Sequence, residues 1–298
     1  MEGKKYTILS VIESSLPQMS KGQKAIAQFM LKNYERAAYL TAARIGVEAD
    51  VSESTVVRFA TELGFSGFPT FQKKLREDLK VKLTSVERLN TSAYLTDSSN
   101  IPRSVLLSDL DKLKSTIETL DYATFNQAVD LIMSAKRIFI LGVRSSAPLA
   151  SFLGFYFNLM FDNVRLVHTT SVSEMFEQIL SATQGDVVIG ISFPRYSKRT
   201  IKAMQYSRDA GASVIAITDK ADNPVARNAV CSLLAPSDMA SFVDSLVAPL
   251  SLINALIVDI GMRNRAHITE TFEKLEHIWD EYGVYDKGEI EGEIAIEL

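Results

Sequence analysis

Between positions 6 and 89, apolar residues recur at spacings of three and four, as in Ile26, Phe29 and Met30, then Ala37 and Leu40. That is the period of amphipathic helices, and no alternating β-branched run interrupts it. Ser20 precedes KGQKAIAQFMLKN as a candidate N-cap, with Gln23 completing a capping box. Residues 42–49 predict a short helix and Asp50, Val51 and Ser52 a tight turn. A second helix follows over 54–63, starting from Ser52 or Glu53 and stopped by Gly64. Residues 90–103, NTSAYLTDSSNIPR, are polar and predict a linker. Another helical stretch covers residues 104–134.

After Lys136 the period changes. RIFILG (137–142), VRLVH (164–168), DVVIGIS (186–192), SVIAIT (213–218) and VCSLLA (230–235) are short apolar runs separated by helical segments. Such runs, lacking polar alternation, suit parallel strands buried on both faces. Their alternation with helices predicts a doubly wound α/β domain around a five-stranded parallel sheet. Sheets of this kind bind ligands at the carboxyl ends of their strands. The last long helix is expected over 240–264. The predicted organisation is an all-α helix-turn-helix domain (1–89), a linker (90–103), an α/β domain with a leading helix (104–264) and an acidic tail (265–298).

Composition sharpens this picture at three points. No apolar run reaches eighteen residues, so a membrane span is not expected, and the first residues do not read as a signal peptide; a cytoplasmic location follows. Cys231 is the single cysteine and there are three histidines, so neither a disulfide nor a zinc site is expected, and no cofactor is called for. The net charge of −4 argues against a nucleic-acid partner only when read over the whole chain. Residues 1–90 carry fourteen Lys and Arg against ten Asp and Glu, whereas residues 268–298 carry two against ten.

The two helices over 42–63 follow the plan in which the second helix enters the major groove of DNA by its N-terminal residues. Those residues are Ser52, Ser54, Thr55 and, one turn on, Arg58. Short hydroxyls can approach phosphates and base edges, and an arginine can hold guanine by two hydrogen bonds. Lys73, Lys74 and Arg76 are candidates for backbone phosphate. A Ser-capped helix in an ordinary bundle would carry many of the same residues. The segment nevertheless resembles the N-terminal domain of RpiR-type regulators. Ser52, Thr55, Val56, Arg58, Phe59, Leu63, Gly64, Phe65, Gly67 and Phe68 fill that family's recognition-helix pattern. The resemblance implies a double-stranded operator as partner.

Two turns at strand ends are rich in hydroxyls and run into helices. The first is Gly142-Val-Arg-Ser-Ser-Ala and the second Ser192-Phe-Pro-Arg-Tyr-Ser-Lys-Arg-Thr200. Hydroxyls and N–H groups at helix starts can surround an anion, although serines also cap helices for purely structural reasons. With the strand pattern, residues 125–262 resemble the SIS fold of phosphosugar isomerases and of RpiR-type effector domains. That resemblance implies a phosphosugar-like effector held by Ser145 and Ser146 on one turn and by Ser192, Ser197 and Thr200 on the other. It also implies pairing into a homodimer or homotetramer, with the helix over 243–261 as the candidate contact.

Three positions depart from the family pattern. Arg144 and Arg195 stand where glycine is usual, and Pro194 replaces a serine. The arginines would make the pocket more cationic, or else pair with acids such as Glu174 or Asp219. No catalytic residue is assigned. The rival reading, an aldose–ketose phosphosugar isomerase with a helical extension, needs a general base, for which His168 and Glu174 are the candidates. A third reading is a sugar-phosphate-binding module whose helical domain recruits a protein. Because the linker is polar, an effector signal is expected to pass through the orientation of a dimer rather than through a rigid contact between domains.

Overall fold

The computed structural model describes residues 8–82, 85–92, 100–167, 171–237 and 243–285. Six helices make the first unit: α1 (Ile8–Ser15), α2 (Lys21–Lys32), α3 (Tyr34–Ala37), α4 (Ala42–Glu48), α5 (Glu53–Glu62) and α6 (Phe68–Lys82). Their apolar stripes converge on a core containing Ile12, Ile26, Met30, Ile45, Val56, Phe59 and Phe71. Phe71 meets the rings of Phe59 and Phe65 edge-on, with centroids 5.9 and 5.5 Å apart. That geometry adds to simple burial. The backbone N–H of Ser20 donates to Gln23 Oε1 at 2.7 Å, as the capping-box reading expects.

The chain then forms α7 (Ser85–Ser92), α8 (Ile101–Thr119) and α9 (Tyr122–Met133). Helix therefore enters the expected 90–103 linker from both sides, and residues 93–99 lie outside the described residues. Asn100 explains the second boundary: its side chain caps α8 by accepting from the N–H of Arg103, and Pro102 fits the first turn.

Five parallel strands follow: β1 (Ile138–Gly142), β2 (Val164–Val167), β3 (Val187–Ile191), β4 (Ser213–Thr218) and β5 (Cys231–Leu234). Their order across the sheet is β2-β1-β3-β4-β5, with Gly142 opposite Ile191 and Ile191 opposite Ile217. The connecting helices are α10 (Ala147–Met160), α11 (Val172–Ile179), α12 (Lys198–Asp209) and α13 (Val247–Arg263). One face of the sheet, through Ile140, Ile189 and Ile215, packs on residues of α9, α10 and α13. The other, through Phe139, Val188 and Val214, packs on α11 and α12. Each fully buried isoleucine contributes roughly 1.5–3 kcal/mol, so both faces resist exposure. The strand order reverses between β1 and β3, which makes their carboxyl ends the switch point where such sheets open a crevice.

At the opposite edge, Arg137 and Asp186 precede β1 and β3. Arg137 Nε and Nη2 donate to Asp186 Oδ1 and Oδ2 at 3.0 and 2.6 Å. The N–H of Thr183 adds a third bond to the same carboxylate, and Arg137 also reaches the carbonyl of Ser181. Burial pushes Asp186 up, but these hydrogen bonds outweigh it and hold the carboxyl below its usual range.

The sequence reading ended the last long helix at Asn264 and left an acidic tail beyond it. Helix in fact resumes as α14 (Arg265–Glu281), against α10 and α13. Ile268, on its inner side, packs on the main core. Residues 286–298 of the expected tail lie outside the described residues.

Candidate functional site

Two regions carry the residues singled out above. In the first, α4 and α5 are joined by a turn closed by backbone bonds alone. Asp50 sits in the left-handed region (φ 53°), and the N–H groups of Asp50 and Val51 reach back to the carbonyls of Val47 and Gly46. At the far end of α5 the same 5→2 and 6→1 bonds recur around Gly64 (φ 90°), from the N–H groups of Gly64 and Phe65 to Thr61 and Ala60. Both are Schellman closures, so each end of α5 is fixed by local chemistry.

Ser52 is the N-cap of α5, accepting from the N–H of Thr55. Its hydroxyl also lies 2.8 Å from those of Ser54 and Thr55. Ser52, Ser54 and Arg58 are exposed, while Val56 and Phe59 point into the core. Arg58 has no side-chain partner among the described residues, so its charge is available. Val57 is 39% exposed and shares this face. Its 3–4 spacing from Ser54 and Thr61 could have revealed it. Lys73 is exposed, whereas Lys74 lies 2.8 Å from Asp78. Arg76 departs from the phosphate-clamp expectation. It donates to the carbonyl of Ala38 and to Gln72 and stacks over Tyr39 at 5.3 Å, which makes it a brace within the bundle.

The second region is the carboxyl edge of the sheet. The turn after β1 folds back so tightly that a Cβ on Gly142 would lie 2.6 Å from the carbonyl oxygen of Ser146. Ser146 is 4% exposed, with no hydrogen bond from its hydroxyl among the described residues, while Ser145 is exposed. In the turn after β3, Ser192 Oγ accepts from the N–H of Ser197, and Ser197 Oγ caps α12 by accepting from the N–H of Thr200. Thr200 is fully buried, and its hydroxyl has no hydrogen-bond partner among the described residues. A buried hydroxyl without a hydrogen bond costs about 1–3 kcal/mol.

Arg144 (φ 56°) and Arg195 (φ 66°) both occupy the left-handed region, at the positions where the family pattern has glycine. A left-handed backbone costs a side-chain-bearing residue roughly 1–2 kcal/mol. The turns thus keep a glycine-like path while carrying guanidinium groups. Behind them, Tyr196 donates to Asp219 Oδ1 at 2.8 Å, and Asn223 donates to both Asp219 and Thr218. Burial raises the pKa of Asp219 and of Tyr196 alike. Asp219 is therefore engaged by Tyr196 and Asn223. The sequence reading names Asp219 only as an acid that could pair with an arginine and gives no sign of Asn223, whose role has no local pattern.

Of the catalytic candidates, His168 lies outside the described residues and Glu174 is exposed in the first turn of α11. Cys231 is buried in β5, and burial pushes its thiol up to about 11, so it stays protonated at neutral pH.

The regions are also in contact, contrary to the expectation drawn from the polar linker. Helix α7 packs on α3 of the first unit. Its Arg88, 3% exposed, donates to Asp244 at 2.7 Å. Asp244 lies between β5 and α13, on the sheet edge that holds the turns. Nearby, Ser245 donates to Asp109 of α8, which also pairs with Lys112.

Comparison with known proteins agrees with both halves. Residues 6–82 match the helix-turn-helix domain of the rpiR family, and residues 131–259 match the SIS domain. The chain is 28% identical over 275 residues to the HTH-type transcriptional regulator HexR of Escherichia coli, covering 90% of this chain and 93% of that one. HexR of Pseudomonas aeruginosa is 27% identical over 265 residues, covering 86% and 90%. Among solved structures, the Vibrio vulnificus NanR protein complexed with ManNAc-6P superposes with a TM-score of 0.57 at 18% identity, covering 92% of this chain and 98% of that one. The sugar isomerase domain of an RpiR transcription factor from Sphaerobacter thermophilus gives 0.56 at 23% identity, covering 59% and 98%. With a helix-turn-helix closed at both ends of α5 and a five-stranded SIS sheet in one chain, the protein belongs to the RpiR-type transcriptional regulators.

Proposed function

We propose that this regulator binds operator DNA through the N-terminal end of α5 and that a phosphosugar-like anion at the carboxyl edge of the sheet modulates that binding. The observation that carries the DNA reading is the exposed, unpaired Arg58 one turn below the hydroxyl cluster of Ser52, Ser54 and Thr55. The hydroxyls suit phosphate or base edges, and Arg58 suits guanine. Lys73 and Lys74 supply charge to the flanking backbone. The working units are residues 1–89 for DNA and 104–264 for the effector, acting in the cytoplasm.

The effector site comprises Arg144, Ser145 and Ser146 on one turn and Ser192, Arg195, Ser197 and Thr200 on the other. The unpartnered hydroxyl of Thr200 supports it, as does the sugar phosphate that NanR holds on a related fold. Regulation requires the effector to favour one arrangement of the protein over another. The Arg88–Asp244 pair offers a route within one chain. Pairing into a dimer or tetramer offers a second, through the apolar residues that α8 and α13 leave exposed, among them Leu106, Leu110, Val258 and Met262.

The test is operator binding at fixed salt. Duplex fragments selected from a random pool by the wild-type protein should bind Arg58→Ala more weakly by about 1–3 kcal/mol, with relaxed choice at one base pair. Unchanged affinity and unchanged choice would remove Arg58 from the interface. Failure to select any duplex would favour the protein-recruiting module instead.

A further inference from the structure

We propose that Val57 reads the C5-methyl group of a thymine, which makes it a specificity-determining residue of α5 beside Arg58. The inference rests on the DNA reading given above and adds an apolar contact to it. The buried positions of α5 are Val56, Phe59 and Ala60. At about 3.6 residues per turn, Ser54 and Thr61 then lie along the opposite line of the helix. Val57 and Arg58 leave the helix on either side of that line, and all four residues are exposed. Ser54, Arg58 and Thr61 are polar, so Val57 is the odd member of the face. Among the described residues of the first unit, the large apolar side chains that stay exposed are Val47 and Val57. Of the two, Val57 is the one on α5.

The fold itself gives no reason for a valine at this position. Val57 is absent from the core that Val56, Phe59 and Ala60 enter, and a β-branched residue at an exposed helical site gives up side-chain freedom without packing in return. Its polar neighbours are arranged differently. Thr61 donates to the carbonyl of Arg58, and the hydroxyl of Ser52 lies 2.8 Å from those of Ser54 and Thr55. The face therefore presents a hydrocarbon side chain next to a guanidinium that has no partner among the described residues. An apolar protein surface would cover the valine but leave that charge uncompensated. The major groove offers both complements: paired acceptors on guanine for Arg58, and the thymine methyl as the apolar group among polar base edges. Consecutive Cα atoms are about 3.8 Å apart and stacked base pairs about 3.4 Å apart, so the thymine should lie within about three base pairs of the one that Arg58 reads.

Deoxyuridine, which lacks only the C5-methyl group of thymidine, tests this on the full chain. Each thymine of a duplex selected by the wild-type protein is replaced in turn, and affinity is read by fluorescence anisotropy at fixed salt. One replacement, within that distance of the base pair at which Arg58→Ala relaxes choice, should weaken wild-type binding about fourfold, the effect of burying one methyl group. Val57→Ala should bind the thymine duplex about fourfold more weakly and lose nothing further on the deoxyuridine duplex. A change in folding alone would not produce that non-additivity. The proposal is overturned if the selected duplexes lack a thymine within that distance, if no replacement weakens the wild type, or if Val57→Ala loses as much as the wild type. Should any of these hold while Arg58→Ala still relaxes choice, the DNA reading stands and this inference alone falls. If no duplex is selected, both fall.

Discussion

Strands β1 and β3 run side by side, yet their two ends are finished differently. At the amino ends, Asp186 receives three hydrogen bonds and Arg137 is fully engaged between that carboxylate and the carbonyl of Ser181. At the carboxyl ends, the hydroxyl of Thr200 is buried without a partner and two arginines are held in left-handed turns. One end pairs its buried charge, while the other leaves a buried hydroxyl without a partner among the described residues and holds backbone under strain. Such a contrast within a single sheet marks its carboxyl edge as the candidate functional end.

The strongest way to break this comparison is at the amino end. Asp186→Ala should lower the unfolding free energy of the α/β domain by about 2–4 kcal/mol, because it strands the Arg137 fork and the N–H of Thr183. Urea denaturation followed by circular dichroism would measure it, and effector affinity should not change. The pH dependence has a fixed sign. Since Asp186 titrates below its ordinary range, its contribution is complete at neutral pH and is lost as the pH falls below about 4. The variant should therefore be less sensitive to acid than the wild type.

At the carboxyl end the balance should reverse. Thr200→Val exchanges the unpartnered hydroxyl for a methyl group of similar shape, so stability should hold or rise. Effector affinity should fall by about 1–2 kcal/mol if that hydroxyl meets the ligand. A loss of stability with affinity intact would make Thr200 an ordinary core residue. The smallest effect sharpens the contrast further: Arg144→Gly alone should raise stability by up to about 1 kcal/mol, read as a small increase in Tm, through relief of the left-handed turn.

The sequence made much of this legible where chemistry is local. Apolar runs marked all five strands, and Ser52 and Gly64 marked the two ends of α5. The departures from glycine at 144 and 195 marked two special positions, although only the backbone angles reveal that the turns kept their path. Other features rest on groups far apart in sequence. Arg137 and Asp186 are separated by 49 residues, and neither sits in a periodic pattern. Helix α14 has a local signal of its own. Ile268, Phe272, Leu275 and Trp279 recur at spacings of four, three and four, a stripe set within an acidic segment. The role of Arg76 is not legible, because a basic residue close to two lysines gives no sign that a carbonyl and a tyrosine ring lie within its reach.

Helix α7 bears on how this regulator should be dissected. An α/β domain excised at residue 100 would lack Arg88 and leave the Asp244 carboxylate without its guanidinium, at the carboxyl edge of the sheet. Such a fragment would not be a neutral sample of the whole. Its ligand constants would include the cost of a missing neighbour, and the difference between fragment and intact chain would itself measure the energy that α7 passes between the two domains.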